Sequence, residues 1–180
     1  MSDSEDRKKK IKIGISVGDI NGIGPEVIIK TFLDPRMTKL ITPVIYGSQK
    51  VFNFYRNKLD IDFQFFHCNN VGGINPKKTN VINVWDEEVT ITPGQAKPEG
   101  GKYAILSLQA AVADLMEGKI DALVTAPINK DLMKGEGFDF PGHTEYLTQE
   151  SGATESLMLL VHNDLRVGVV TGHIPVSEVA

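Results

Sequence analysis

Cysteine occurs once and histidine four times in these 180 residues, and nowhere do eighteen apolar residues follow one another. The lone Cys68 leaves no internal disulfide and no Cys-x-x-Cys pair for structural zinc, which points to a reducing compartment and a cytoplasmic location. Lack of a long apolar run excludes a membrane-spanning helix. Residues 1–10 are charged with no apolar stretch after them, so they read as a disordered tail rather than a secretory leader. Surplus positive charge is also missing: 19 Lys and Arg against 23 Asp and Glu leave a net charge of -4, and nothing electrostatic favours nucleic acid. What is present is the composition of an ordinary soluble globular protein, 41% apolar and 23% charged. Its length suits one well-buried core, or one domain and part of another.

Strand and helix signals alternate. Residues 11–17 alternate with β-branched side chains and predict a strand. A glycine turn follows, and Pro25-Glu26 open a helix to about Leu33, with proline at the first helical position and a carboxylate in the first turn. Residues 43–47 predict a buried strand. Ser48 then caps a helix whose Val51, Phe52, Phe54 and Tyr55 share a face. Further strands are expected at 63–67 and 81–85, and a long exposed loop at 86–101. Over 102–117, Ala104, Ile105, Leu108, Ala111, Val112 and Leu115 recur at helical spacing, and Gly118 supplies the stop. Residues 122–127 form an apolar strand, and two more apolar runs occupy 157–161 and 167–170. This alternation predicts an α/β protein with a parallel sheet covered on both faces, its ligands outside the carboxyl ends of the strands. Pro175 starts a helix that the sequence leaves in its first turn, so the chain is expected to be a piece of something longer. No internal repeat or low-complexity tract is present.

Three segments carry candidate chemistry. Gly18-Asp19-Ile20-Asn21-Gly22-Ile23-Gly24-Pro25-Glu26 sits between strand and helix, where backbone N–H groups can face an anion. It matches neither Gly-x-Gly-x-x-Gly nor a P-loop, which favours a structural turn. His143-Thr144-Glu145-Tyr146-Leu147 lacks the second histidine of a zinc-protease helix. It leaves an imidazole and a hydroxyl at a helix start, where the dipole favours anions. Thr125-Ala126-Pro127-Ile128-Asn129-Lys130 places an amide and a lysine after a strand end, where they can meet a small charged substrate or remain solvated. His143 and His173 each adjoin glycine, which permits close approach of a ligand to a group that binds metal when neutral. A turn histidine bonded to a carbonyl is the alternative. His67 and His162 read as strand-end or turn residues without chemistry.

Taken in order, Gly22-Ile23-Gly24-Pro25-Glu26, Thr125-Ala126-Pro127-Ile128-Asn129-Lys130, Phe140-Pro141-Gly142-His143-Thr144-Glu145 and Thr171-Gly172-His173-Ile174-Pro175 resemble the 4-hydroxythreonine-4-phosphate dehydrogenase family of pyridoxal 5′-phosphate biosynthesis, from about Lys12 to Ala180. The first of them is also similar to the N-terminal motif of isocitrate and isopropylmalate dehydrogenases. The resemblance implies their three-layer α/β fold in two domains, the first over residues 11–134 and the second beginning at 135–180, with the chain truncated within it. A strand edge or apolar surface is then expected to lie uncovered.

The implied reaction is NAD-dependent oxidation of the secondary alcohol of 4-phosphooxy-L-threonine, followed by decarboxylation to 3-amino-2-oxopropyl phosphate. The family holds a divalent metal (zinc, magnesium or cobalt) with three histidines at a homodimer interface. Such an ion lowers the alcohol's pKa and stabilises the alkoxide as hydride leaves for nicotinamide. His173 matches the first metal ligand, and His143 and Thr144 match a substrate-binding pair. The other two ligands and the phosphate-binding residues are expected beyond Ala180, so the present chain alone is expected to be inactive. Ile20-Asn21 stands where the family often has Pro-Ala, which alters the stiffness of the turn. Two other readings stay open: a dehydrogenase of D-threonate or D-erythronate 4-phosphate, and a non-catalytic binding module.

Overall fold

The computed structural model describes residues 10–171 and 174–179. They form two compact units, one running to Pro141 and the other from Gly142. In the first, β1 (Lys12–Ser16) leads to α1 (Gly24–Phe32), a short α2 (Met37–Leu40), β2 (Thr42–Gly47) and α3 (Gln49–Lys58). After these come β3 (Phe66–Cys68), β4 (Asn80–Asn83), α4 (Pro98–Met116), β5 (Ala122–Thr125) and α5 (Lys130–Gly135). All five strands are parallel, in the order β3-β4-β2-β1-β5.

The expected two-sided burial follows from the pleat. Every residue of the central β2 is buried, and its successive side chains enter different cores. Ile45 joins Ile15, Val17 and Val81 against Ile28 and Ile29 of α1 and Val51, Phe52 and Tyr55 of α3. Val44 and Tyr46 join Ile82, Ala111 of α4 and Ile120. Helices on both faces of one sheet make the three-layer α/β arrangement that the alternating pattern predicts. Ser107 of α4, fully buried, ties the second layer to the sheet. Its hydroxyl donates to the Tyr46 carbonyl at 2.6 Å and accepts from the Val17 N–H at 2.8 Å. Cys68 is buried, and burial pushes its thiol up, away from nucleophilic use.

Two expectations change. The strand placed at 63–67 begins only at Phe66, because Phe63 turns inward and packs with Phe52 and Phe65 instead of continuing the ladder. The exposed loop placed at 86–101 is shorter and partly buried. Pro98 and Glu99 already form the first turn of α4, and Val89 and Ile91 pack against the first core. Residues 130–135, to which the sequence reading assigned no element, form the short α5, capped by Asn129, whose side-chain oxygen accepts from the Asp131 and Leu132 N–H groups.

β5 lies at the sheet edge, and its Val124 is 53% exposed. Beside it runs an apolar cleft lined by residues including Ile13, Val27, Ile28 and Phe32. In the second unit α6 (His143–Glu150) precedes an antiparallel hairpin of β6 (Leu159–His162) and β7 (Leu165–Gly168). Asn163 turns that hairpin at φ 50. Its apolar Leu159, Leu160, Val161, Leu165 and Val167 are all exposed.

Gly18 and Gly118 share a φ of 68, yet a Cβ at Gly18 would overlap the Pro127 carbonyl oxygen while one at Gly118 would meet open space. Gly118→Ala should therefore cost about 1 kcal/mol of unfolding free energy, and Gly18→Ala about 3 kcal/mol or more. Denaturant unfolding of the two variants checks this; equal losses would mean that the close approach at Gly18 carries no weight.

Candidate functional site in the crevice at the carboxyl ends of the sheet

Chain leaving β1 enters α1 on one face of the sheet. Chain leaving β5 enters α5, which packs on α4 of the other face. The neighbouring strands β1 and β5 thus send their connections in opposite directions, and the gap between those connections is where open α/β sheets bind ligands. The two loops are locked together there. Gly18 touches the Pro127 carbonyl, whose oxygen accepts from the Asp19 N–H at 3.0 Å. Gly24 packs so closely on the Val17 carbonyl and the Ala126 side chain that a Cβ would clash. The glycine framework of this turn therefore serves close packing, as the structural reading of the motif expects.

Asp19 is buried, and its Oδ1 accepts the Asn21 N–H at 2.8 Å. Gly100 in the first turn of α4 lies directly against that carboxylate. The helix has no side-chain cap of its own, so the Asp19 charge complements its positive end. Gly101 packs equally closely on the backbone of Leu132 in α5. The start of α4 is thus wedged between the β1–α1 turn and α5. Tyr55 supports the turn from the α3 side, its hydroxyl donating to the Ile20 carbonyl at 2.7 Å. Burial first, then the negative charges of Asp19 and Glu26, push the Tyr55 phenol up to about 12. It is a fixed donor and not an acid at neutral pH.

Of the polar groups expected after β5, Asn129 is committed to capping α5, and Lys130 is exposed. In the second unit His143 and Thr144 are adjacent in the first turn of α6, His143 half-buried and Thr144 exposed. Gly142, in extended backbone, is the N-cap and brings no side chain to that helix end. His173 lies outside the described residues. Among the described residues no group of three His, Cys, Asp or Glu is placed to hold a metal ion. Tyr55, Asp19 and Asn21 gave no functional signal in the sequence; only the position of Asp19 and Asn21 inside the glycine turn marked them.

The model of the family described as pyridoxal phosphate biosynthetic protein PdxA matches residues 39–180. A 4-hydroxythreonine-4-phosphate dehydrogenase of Bacteroides thetaiotaomicron is 48% identical over 96% of this chain and 48% of its own length. The chain belongs to the PdxA family. A protein of Oceanobacillus iheyensis provisionally named D-threonate 4-phosphate dehydrogenase is 33% identical over 92% of this chain and 51% of its own. The crystal structure of a 4-hydroxythreonine-4-phosphate dehydrogenase from Burkholderia phymatum superposes with a TM-score of 0.83 at 28% identity, covering 94% of this chain and 52% of that one. One from Klebsiella pneumoniae gives 0.83 at 27%, covering 96% and 53%. This PdxA chain spans about half the length of the curated relatives it matches.

At the β4 end of the PdxA sheet, Trp85 stacks on Tyr103 with ring centroids 4.6 Å apart. The Tyr103 hydroxyl donates to Glu87 at 2.6 Å, and the Lys102 ammonium donates to the same oxygen at 2.8 Å. The bond from Lys102, then that from Tyr103, holds the Glu87 carboxyl below its usual range. A folded-state pKa that is lowered means that the contact stabilises above the unfolded value and is lost as pH falls through the folded one. Trp85 is the sole tryptophan, so its emission should titrate with a midpoint below the ordinary glutamate range. Glu87→Gln should abolish that step, and an unchanged acid titration in the variant would refute the assignment.

Proposed function

We propose that the whole protein is an NAD-dependent oxidoreductase that oxidises the secondary alcohol of 4-phosphooxy-L-threonine. NAD, when bound, would supply the hydride acceptor; the hydroxyl proton given up in the oxidation would be balanced by the one taken up at carbon as the 3-oxo acid loses carbon dioxide to leave 3-amino-2-oxopropyl phosphate, a step in pyridoxal 5′-phosphate formation. The observation that carries this reading is 48% identity across 96% of the chain with a relative named for that substrate. The residues agree with it. His143 and Thr144 stand side by side in the first turn of α6, where the positive end of the helix dipole favours a negatively charged partner. They are assigned to the substrate.

The proposal further includes a divalent metal (zinc, magnesium or cobalt) with His173 as one ligand, and a homodimer that shares its active sites. The described residues do not by themselves assemble a metal site, so the metal rests on the family resemblance alone. A second reading, oxidation of D-threonate 4-phosphate, is supported by the 33% identical relative provisionally named for that activity. Both substrates present a secondary alcohol and a phosphate.

Turnover by the whole protein, followed as NADH formation with each phosphate ester in turn, separates the two. The higher kcat/KM is expected with 4-phosphooxy-L-threonine; preference for D-threonate 4-phosphate installs the second reading, and turnover of neither overturns both. His143→Ala should lower kcat/KM by about a hundredfold, the equivalent of one charge-assisted hydrogen bond. His173→Ala should lower bound metal, measured by elemental analysis, together with activity; full metal content in that variant would remove His173 from the site.

A further inference from the structure

We propose that Asn21 is a positioning residue: it clamps the segment between β4 and α4 onto the β1–α1 turn and so holds one border of the ligand crevice in place. The Asn21 side-chain oxygen accepts the Thr92 N–H at 2.7 Å, and its carbonyl accepts the Gly94 N–H, also at 2.7 Å. These partners belong to one tight turn. Gln95 N–H returns to the Thr92 carbonyl at 3.1 Å, Pro93 occupies the second position, and Gly94 takes the positive φ of 82 that the third position of a type II turn requires. Asn21 therefore grips a preformed turn at two points, across 71 positions of sequence.

Two further observations favour positioning over simple stability. Asn21 is 1% exposed, yet its amide nitrogen and the Thr92 hydroxyl are both buried without a hydrogen-bond partner among the described residues. A half-satisfied buried amide is destabilising, so an apolar residue would make the better filler. The clamp also sits where its loss would be felt. The segment it holds runs straight into the first turn of α4, which lies against Asp19 and Leu132 at the β1/β5 crevice. Freed at Thr92, the segment would keep the Asn21 carbonyl bond, the packing of Val89 and Ile91 and, nearer β4, the bonds of Asp86, Glu87 and Glu88 to Lys50, Lys102 and Tyr103.

The inference relies on the reaction proposed above only for the identity of the ligands, and its test has two arms. Asn21→Ala removes the acceptor, and Thr92→Pro removes the donor from the loop side, where unfolding of the core is not at issue. In hydrogen exchange, the Gly94 and Gln95 amides should exchange rapidly in both variants, and the Thr92 amide in Asn21→Ala, while β4 stays protected; protection as in the wild type overturns the clamp whether or not the reaction is assigned correctly. In turnover, each variant should raise KM for the phosphate ester or for NAD by about threefold to tenfold with kcat within about twofold, the loss of one hydrogen bond. The double variant should be no worse than the poorer single one. A fall in active fraction with both KM values unchanged, or additive losses, would make Asn21 merely structural. Should the wild type turn over neither ester, the reaction assignment fails and the exchange arm alone decides the clamp.

Discussion

The close contact between Gly18 and the Pro127 carbonyl is the constraint on which the crevice depends. It joins the loop after β1 to the loop after β5 with no side chain between them, and the Asp19 N–H completes the joint. Everything else at that end of the sheet is placed relative to it. Asp19 meets the start of α4, Gly24 folds α1 back over Val17 and Ala126, and Tyr55 reaches in to the Ile20 carbonyl. Glycine recurs in this region because a Cβ at Gly18, Gly24 or Gly100 would collide with the Pro127 carbonyl, the Val17 carbonyl or the Asp19 carboxylate.

Much of this architecture was legible in the sequence for a simple reason. A parallel sheet buried on both faces writes itself as short β-branched runs, and its helices write themselves as apolar residues at a spacing of three and four. Pro25 and Ser48 marked helix starts correctly because proline geometry and hydroxyl capping are local effects. The misjudged stretches are those governed by distant partners. Phe63 left the β3 ladder for the aromatic pocket around Phe52, and the segment after β4 was pulled in by Val89, Ile91 and Asn21, none of which carries a local signal. Pro98 and Glu99 did carry the ordinary marks of a helix start, but the surrounding glycines, needed for contact with Asp19 and Leu132, disguised them as loop.

The candidate site divides in the same way. His143 and Thr144 could be named from sequence because a motif fixes their identity and a helix start fixes their placing. The surroundings of the glycine turn could not, since a buried carboxylate, a phenol and an amide from separate stretches converge there only after folding. Family membership and the three-layer fold rest on the whole chain, whereas the relatives named for the chemistry are about twice as long as these residues.

Ser107 has one more effect. Hydrophobic packing resists separation of a helix from a sheet but tolerates sliding, because one methyl group replaces another at little loss. A buried hydroxyl that both donates to Tyr46 and accepts from Val17 sets a single axial register for α4. Displacement by one turn, about 5.4 Å, would strand both partners in a dry interior. The nineteen-residue helix thus acts as a pinned ruler, its far end measured off from the middle of the sheet.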